Sequence, residues 1–178
     1  MQVIKTEIEG VHIIDSFTAS DERGLFVKTF QSTFFKQRAL DFQIRESYYS
    51  VSKKNVIRGM HFQLPPHDHD KLVYVVNGSI VDVLLDLRKA SETYGKYISV
   101  NLSAINHKCL IIPKGIAHGF KSLEDDTVTI YNVSSEYNKN ADSGVRFDSF
   151  GFDWEVEELI VSERDKDLAS FTEFKSPF

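Results

Sequence analysis

The sequence predicts an all-β chain folded as a barrel or sandwich, and three observations carry the prediction. Short runs rich in Val, Ile, Phe and Tyr recur along the chain, Gly, Asn, Asp and Pro punctuate them at short intervals, and no helical pattern alternates with them. At 178 residues the chain has the length of one domain, so residues 1–178 are expected to close around a single core. Hydrophobic residues at 42% and charged residues at 26% are ordinary for a globular protein and exclude a disordered one.

Taken in order, the first strand candidates are 24–30 and 47–51. A short helix is expected from Ser32, as its cap, through Leu40. The strongest local signal is 72–76 and 79–87 around Asn77-Gly78. That dipeptide tolerates the positive φ angles of a type I′ turn, so a hairpin is expected. In its second arm Val81, Val83, Leu85 and Leu87 make one apolar face. Asp82 and Asp86 share the other with Ile80 and Leu84, which suggests a solvated barrel interior. Further strands are expected at 97–102, 110–112 and 128–133. Ser162-Glu163-Arg164-Asp165 has the spacing of a capping box for a second helix.

The net charge of −5, without a cluster of Lys and Arg, argues against nucleic acid as a partner, so any phosphate must be met by local charge. No apolar run approaches the roughly 18 residues of a membrane span, and the first residues lack a leader pattern; a cytoplasmic, membrane-free protein is expected. Cys109 is the only cysteine and lies in the apolar run Cys109-Leu110-Ile111-Ile112, where a buried, unreactive thiol is expected.

Polar residues with chemical potential concentrate in two blocks. The first, 58–71, holds three of the six histidines, His61, His67 and His69. Imidazole titrates near neutrality and also binds metals, so the block suggests acid–base work or a metal site. The second, Pro113-Lys114-Gly115-Ile116-Ala117-His118-Gly119-Phe120, resembles the second motif of the cupin β-barrels, and His67-Asp68-His69 the start of the first. A metal-binding cupin also needs a carboxylate shortly after the second histidine. Asp70 is too close and Lys71 would repel the ion, so no metal and no cofactor are expected. His67 and His69 remain open between sugar contact, a chance metal and solvent.

Several further motifs join these in order: Asp21-Glu22-Arg23-Gly24, Arg58-Gly59-Met60-His61-Phe62-Gln63, Lys71-Leu72-Val73, Asp86-Leu87-Arg88, Thr93-Tyr94-Gly95-Lys96, and Ser162-Glu163-Arg164-Asp165. Together they resemble the dTDP-4-dehydrorhamnose 3,5-epimerase family, a metal-independent branch of the cupins, over nearly the whole chain. The resemblance implies a cupin-type jelly-roll barrel with short peripheral helices. It further implies a homodimer that exchanges N-terminal strands. The implied reaction is epimerisation at C3, or at C3 and C5, of a nucleotide-diphosphate-activated 4-keto-6-deoxy sugar. A 3,4-ketoisomerase, a metal-dependent cupin and a sugar-binding barrel are the alternatives.

By the same resemblance His61 is the base, Asp165 orients its ring, Lys71 stabilises the enolate and Tyr131 returns a proton from the opposite face. From the residues alone, Asp165 also fits a helix cap, Lys71 a snorkelling strand end and Tyr131 a core aromatic. Arg23, Arg58, Gln63, His118 and Tyr137 match substrate-binding positions. The chain departs from the family at Lys28, where an acidic residue is usual, at Glu46 and Tyr48, where Gln and Asn are usual, and at Tyr74, where Arg is usual. A carboxylate only accepts hydrogen bonds, so Glu46 suits an exocyclic amino group and points to CDP or GDP as the carrier.

Overall fold

A computed structural model describes residues 1–155 and 158–178. Fourteen strands are defined among them. One sheet is built from β1 (Gln2–Lys5), β2 (His12–Asp15), β5 (Glu46–Ser52), β7 (Lys71–Asn77), β10 (Lys108–Ile112) and β12 (Thr127–Val133), in the order β1-β2-β10-β7-β12-β5. The facing sheet holds β6 (Val56–Gln63), β8 (Ser79–Asp86), β9 (Tyr97–Ser103), β11 (Ile116–Ser122) and β13 (Asp142–Gly144), in the order β13-β6-β11-β8-β9. A short β14 (Ile160–Val161) pairs in parallel with β6. The expected all-β, cupin-type jelly roll is the observed fold. A separate hairpin, β3 (Phe17–Asp21) with β4 (Gly24–Lys28), pairs with neither sheet, and all but the last two residues of β4 are exposed.

Alternation along the strands decides what faces the interior. Val73 and Val75 from the first sheet meet Ile80, Leu84, Ile116 and Phe120 from the second. The outer face of the second sheet, with Val83 and Leu85, is covered by a C-terminal aromatic layer that includes Phe147, Trp154 and Phe174. Phe35 and Phe42 cover Leu72 and Cys109 on the other side. Cys109 is buried as expected, and burial pushes its thiol pKa up to about 11.

Three local expectations are corrected. The segments around Asn77-Gly78 do not pair as a hairpin: β7 joins β10 and β12 in one sheet, while β8 joins β11 and β9 in the other. Asn77 pairs with Val128 instead, and Gly78, at φ +75°, turns the chain from sheet to sheet. A Cβ at Gly78 would strike Thr127, so glycine is required for the corner and not for a tight turn. Second, α1 is only Ser32–Lys36, and its N-cap is Gln31, which makes no side-chain cap bond. Third, the two carboxylates on the interior face of β8 are buried and paired where a solvated face was expected. Asp82 is completely buried and paired with His118, and Asp86 is buried under Arg88, Ser91 and Thr93. Charge on that face is compensated by partners, because bare burial of two carboxylates is too costly.

Candidate active site

The catalytic candidates come together through an irregularity in β6. The β11–β6 register slips between His118 and Phe120, opposite Gly59. In an unbroken strand residues 58 and 61 lie on opposite faces, but the slip leaves Ile57 and Met60 both in the outer core. Arg58 and His61 therefore both line the interior cavity. Two glycines make the slip possible. Gly59 has φ +142°, and a Cβ on it would collide with Gly119, while a Cβ on Gly119 would lie 2.7 Å from the Met60 sulfur.

That cavity has a volume of about 580 Å³ and is lined by His61, Asp165, Lys71, Tyr131, Arg58 and His118, among others. Asp165 arrives on the short helix α2 (Glu163–Lys166), where Ser162 caps the N-terminus by accepting from the Asp165 N–H at 3.1 Å. The Ser162 cap leaves the Asp165 carboxylate free to point inward. Its Oδ1 lies 2.6 Å from His61 Nε2, and its Oδ2 accepts from the Gly59 N–H at 3.3 Å. Burial opposes ionisation of Asp165, but the hydrogen bonds from His61 and Gly59 outweigh it and hold the pKa below the ordinary carboxylate value. An ionised Asp165 fixes the proton on Nε2 and leaves Nδ1 as the basic nitrogen of His61.

Lys71 is buried, and its Nζ donates to the His61 carbonyl oxygen at 3.1 Å. Burial pulls its pKa down to about 8, against the charges of Asp82 and Asp142. Tyr131 sits across the cavity on β12. Its hydroxyl is 3.2 Å from Ser50 Oγ, and its ring stacks on Tyr48 with centroids 4.9 Å apart and planes 19° from parallel. Burial raises the Tyr131 pKa well above that of a free phenol, and raises that of Tyr48 to about 12. Both rings are therefore protonated at neutral pH.

The substrate-binding candidates divide. Arg58, His118 and Tyr48 line the main cavity; Gln63, Glu46 and Tyr137 line an adjoining one of about 380 Å³, shared with Tyr48, His61 and Lys71. Gln63 is a structural clamp: Nε2 donates to the His67 carbonyl at 2.8 Å and Oε1 accepts from the Asn138 N–H at 2.6 Å. Glu46 Oε2 accepts from the Tyr137 N–H at 2.6 Å, so one oxygen of the supposed base-reader already holds the chain. Arg23 and Lys28 are not brought to the cavity. Arg23 is exposed at the tip of the β3–β4 hairpin, paired with Asp21 at 2.5 Å, and Lys28 lies over the Phe17 ring.

His69 Nδ1 is within hydrogen-bond distance of Gln63 Nε2 and Ser135 Oγ, and burial with the nearby Lys71 charge lowers its pKa to about 3. It is a neutral part of the cavity wall. Among the described residues no group of three His, Cys, Asp or Glu is arranged to hold a metal. Two participants escaped sequence reading. Arg164 lines both cavities and pairs with Asp142 at 2.7 Å, and Asp82 holds His118 Nε2 at 2.8 Å. The signal for Asp82 was its place among inward apolar residues of β8; Arg164, inside a capping motif, carried none.

A jelly-roll barrel that points a carboxylate-bound histidine, a lysine and a protonated tyrosine into one cavity defines a proton-transfer enzyme, of the kind that moves protons beside a carbonyl. The comparisons specify it further. Residues 5–173 match the family model described as dTDP-4-dehydrorhamnose 3,5-epimerase, and the chain belongs to that family. It is an isomerase-class enzyme that epimerises a nucleotide-activated 4-keto-6-deoxy sugar. The dTDP-4-dehydrorhamnose 3,5-epimerase of Methanothermobacter thermautotrophicus is 40% identical over 168 residues, covering 92% of this chain and 90% of its own. Among solved structures, the Bacillus anthracis enzyme with TDP and PPi bound superimposes with a TM-score of 0.92 at 33% identity, covering 95% of this chain and 98% of its own. The Legionella pneumophila enzyme in complex with dTDP-4-keto-L-rhamnose has a TM-score of 0.92 at 30% identity, covering 98% of this chain and 94% of its own.

Proposed function

We propose that His61 Nδ1 removes the proton on a carbon next to the 4-keto group, with the C–H electron pair forming the C=C bond of an enolate. Lys71 holds the negative charge that develops on the keto oxygen. Tyr131 delivers a proton to the opposite face, and solvent restores the protonation of both residues. The observation that carries the reading is the His61–Asp165 bond at 2.6 Å in the cavity that also holds Lys71 and Tyr131. A base needs its conjugate acid stabilised, and the buried carboxylate does so.

The carrier in this reading is deoxythymidine diphosphate, supported by the TDP and dTDP-sugar named with the Bacillus and Legionella enzymes. The bond from Tyr137 N–H to Glu46 weakens the case for CDP or GDP, because it commits half of the carboxylate. Arg58 and His118, facing the cavity, meet the diphosphate and the sugar. The chain works as one cytoplasmic domain and as a homodimer. The exposed β3–β4 hairpin, with Phe17, Leu25 and Phe26 in solvent, supports exchange of that arm between subunits, which would carry Arg23 and Lys28 to the partner's site.

Incubation in D₂O with dTDP-, CDP-, GDP- and UDP-linked 4-keto-6-deoxy sugars, read by NMR, tests the reaction and carrier together. Deuterium at C3, or at C3 and C5, of the dTDP sugar is expected, and a migrated ketone refutes epimerisation. Tyr131→Phe is expected to retain exchange of the α proton while losing inverted product. Sedimentation velocity reports the dimer, and a monomer at micromolar concentration refutes the exchanged arm.

A further inference from the structure

We infer that Asp82 is the positioning residue for the cationic side of this site: a buried counter-charge, aimed by His118, that keeps Lys71 an ammonium. The inference rests on the proposed role of Lys71 with the enolate, and its first test is independent of turnover. A buried lysine loses its proton readily, and a neutral amine gives an enolate far less than a cation does. Something in the barrel must therefore favour the charge.

The titratable groups around Lys71 come from every adjoining element. His61 on β6, His118 on β11, His69 before β7 and Tyr131 on β12 supply no negative charge. Three carboxylates line the two cavities, and each is already committed. Asp165 is bound to His61 and Gly59 N–H, Glu46 to Tyr137 N–H, and Asp142 to the Arg164 guanidinium at 2.7 Å. Asp82 differs. It lies behind the cavity lining, completely buried on the inward face of β8, with its Oδ2 2.8 Å from His118 Nε2. Among the described residues its Oδ1 finds no hydrogen-bond partner.

His118 cannot neutralise it, since burial of that imidazole lowers its pKa and keeps it uncharged. Burial likewise pushes the Asp82 pKa up, opposed by His118 and by Lys71. Each buried charge thus favours the other, and the low local dielectric lets that attraction act beyond contact distance. His118 serves this arrangement by holding the carboxylate in one rotamer. With Nε2 donating to Asp82, its Nδ1 is left as an acceptor for a sugar hydroxyl.

The test is the titration of Lys71 followed by its ¹³Cε shift in lysine-labelled full-length protein, assigned with Lys71→Arg. Asp82→Asn is isosteric, and it is expected to lower the Lys71 midpoint by about one pH unit or more, a tenfold change in proton affinity. Asp142→Asn is expected to shift the same midpoint by less than about a third of that, because its charge is already paired. An unchanged midpoint in folded Asp82→Asn, or a larger shift in Asp142→Asn, overturns the inference. Should Asp82→Asn fail to fold, the ¹³Cγ shift of Asp82 in the unaltered protein decides: an ionised carboxylate near neutrality is expected, and a protonated one overturns it. In turnover, the alkaline limb of kcat should move down with the Lys71 midpoint while KM changes little. A Lys71 midpoint that moves without the limb would keep the counter-charge and reject the enolate role of Lys71.

Discussion

Replacing Asp165 by Asn keeps the shape of the side chain and removes its charge, so its effect isolates what the carboxylate does for His61. Two bonds are at stake, the 2.6 Å contact to His61 Nε2 and the 3.3 Å bond from the Gly59 N–H. The Gly59 donor can still be met by an amide oxygen. With that oxygen so used, the amide nitrogen faces Nε2 and donates to it, which drives the ring proton to Nδ1, the nitrogen that accepts the substrate proton in the proposed reaction. A hydrogen bond to a charged group is worth about 1.5–3 kcal/mol, or roughly 10- to 150-fold in rate if it is realised when the imidazolium forms. The wrong tautomer adds to this, for a total loss of about 10²–10⁴ in kcat. The assay is the initial rate of deuterium entry next to the ketone in D₂O. The fold is monitored by circular dichroism, because Ser162 still caps α2 through the residue 165 N–H. A folded Asp165→Asn protein that exchanges at more than a third of the normal rate would show that His61 is not the base or that Asp165 only caps the helix.

Three further outcomes follow from the packing and charge of the site. Gly59→Ala is expected to destabilise the fold by about 3 kcal/mol, because a Cβ at φ +142° collides with Gly119 and the alternative is to lose the slip that turns His61 inward; urea unfolding measures it, and a change under half that size would mean β6 tolerates a regular register. His69, with a folded pKa of about 3 against an ordinary 6.5, binds its proton more tightly when unfolded, so it contributes stability above pH 6.5 that is lost as pH falls toward 3. Thermal midpoints should fall across that window, and His69→Gln should flatten the fall between pH 6.5 and 4. Asp86, with a pKa near 2, adds a separate loss that begins only below its unfolded value of 3.8, and Asp86→Asn should leave the upper window unchanged while removing that lower step.

The class of fold and most strands were legible because each depends on local pattern. Alternation in 72–76, 80–86 and 128–133 states which residues share a face, and the structure keeps those faces. The candidate site was legible in a different way. His61, Lys71, Tyr131 and Asp165 lie on separate elements across 104 residues between His61 and Asp165, and no periodicity relates them; only their ordered resemblance to a family did. What remained hidden is what pairing decides. A lone glycine inside a strand marks a bulge as one option, but the slip at Gly59 depends on Gly119, a strand away. Arg23 and Lys28 are expected site residues, yet a largely exposed arm away from both cavities does not place them there within one chain.

Asn77-Gly78 shows why local signals stop where they do. The dipeptide specifies backbone conformation, a positive φ that the structure realises at Gly78. It does not specify which strand accepts the hydrogen bonds on either side. In a two-stranded hairpin β7 and β8 would be partners, and their inward faces could not oppose one another. Here β7 takes β10 and β12 as neighbours and β8 takes β11 and β9, so the corner folds the second strand over the first. That inversion sets Lys71, on the inner face of β7, within the field of Asp82, on the inner face of β8. Had the sequence formed the expected hairpin, the ammonium and its buried counter-charge would lie side by side on a sheet surface, screened by water and worth little to an enolate. Burial between two sheets is what would let the same two residues act as the catalytic charge proposed for the enolate.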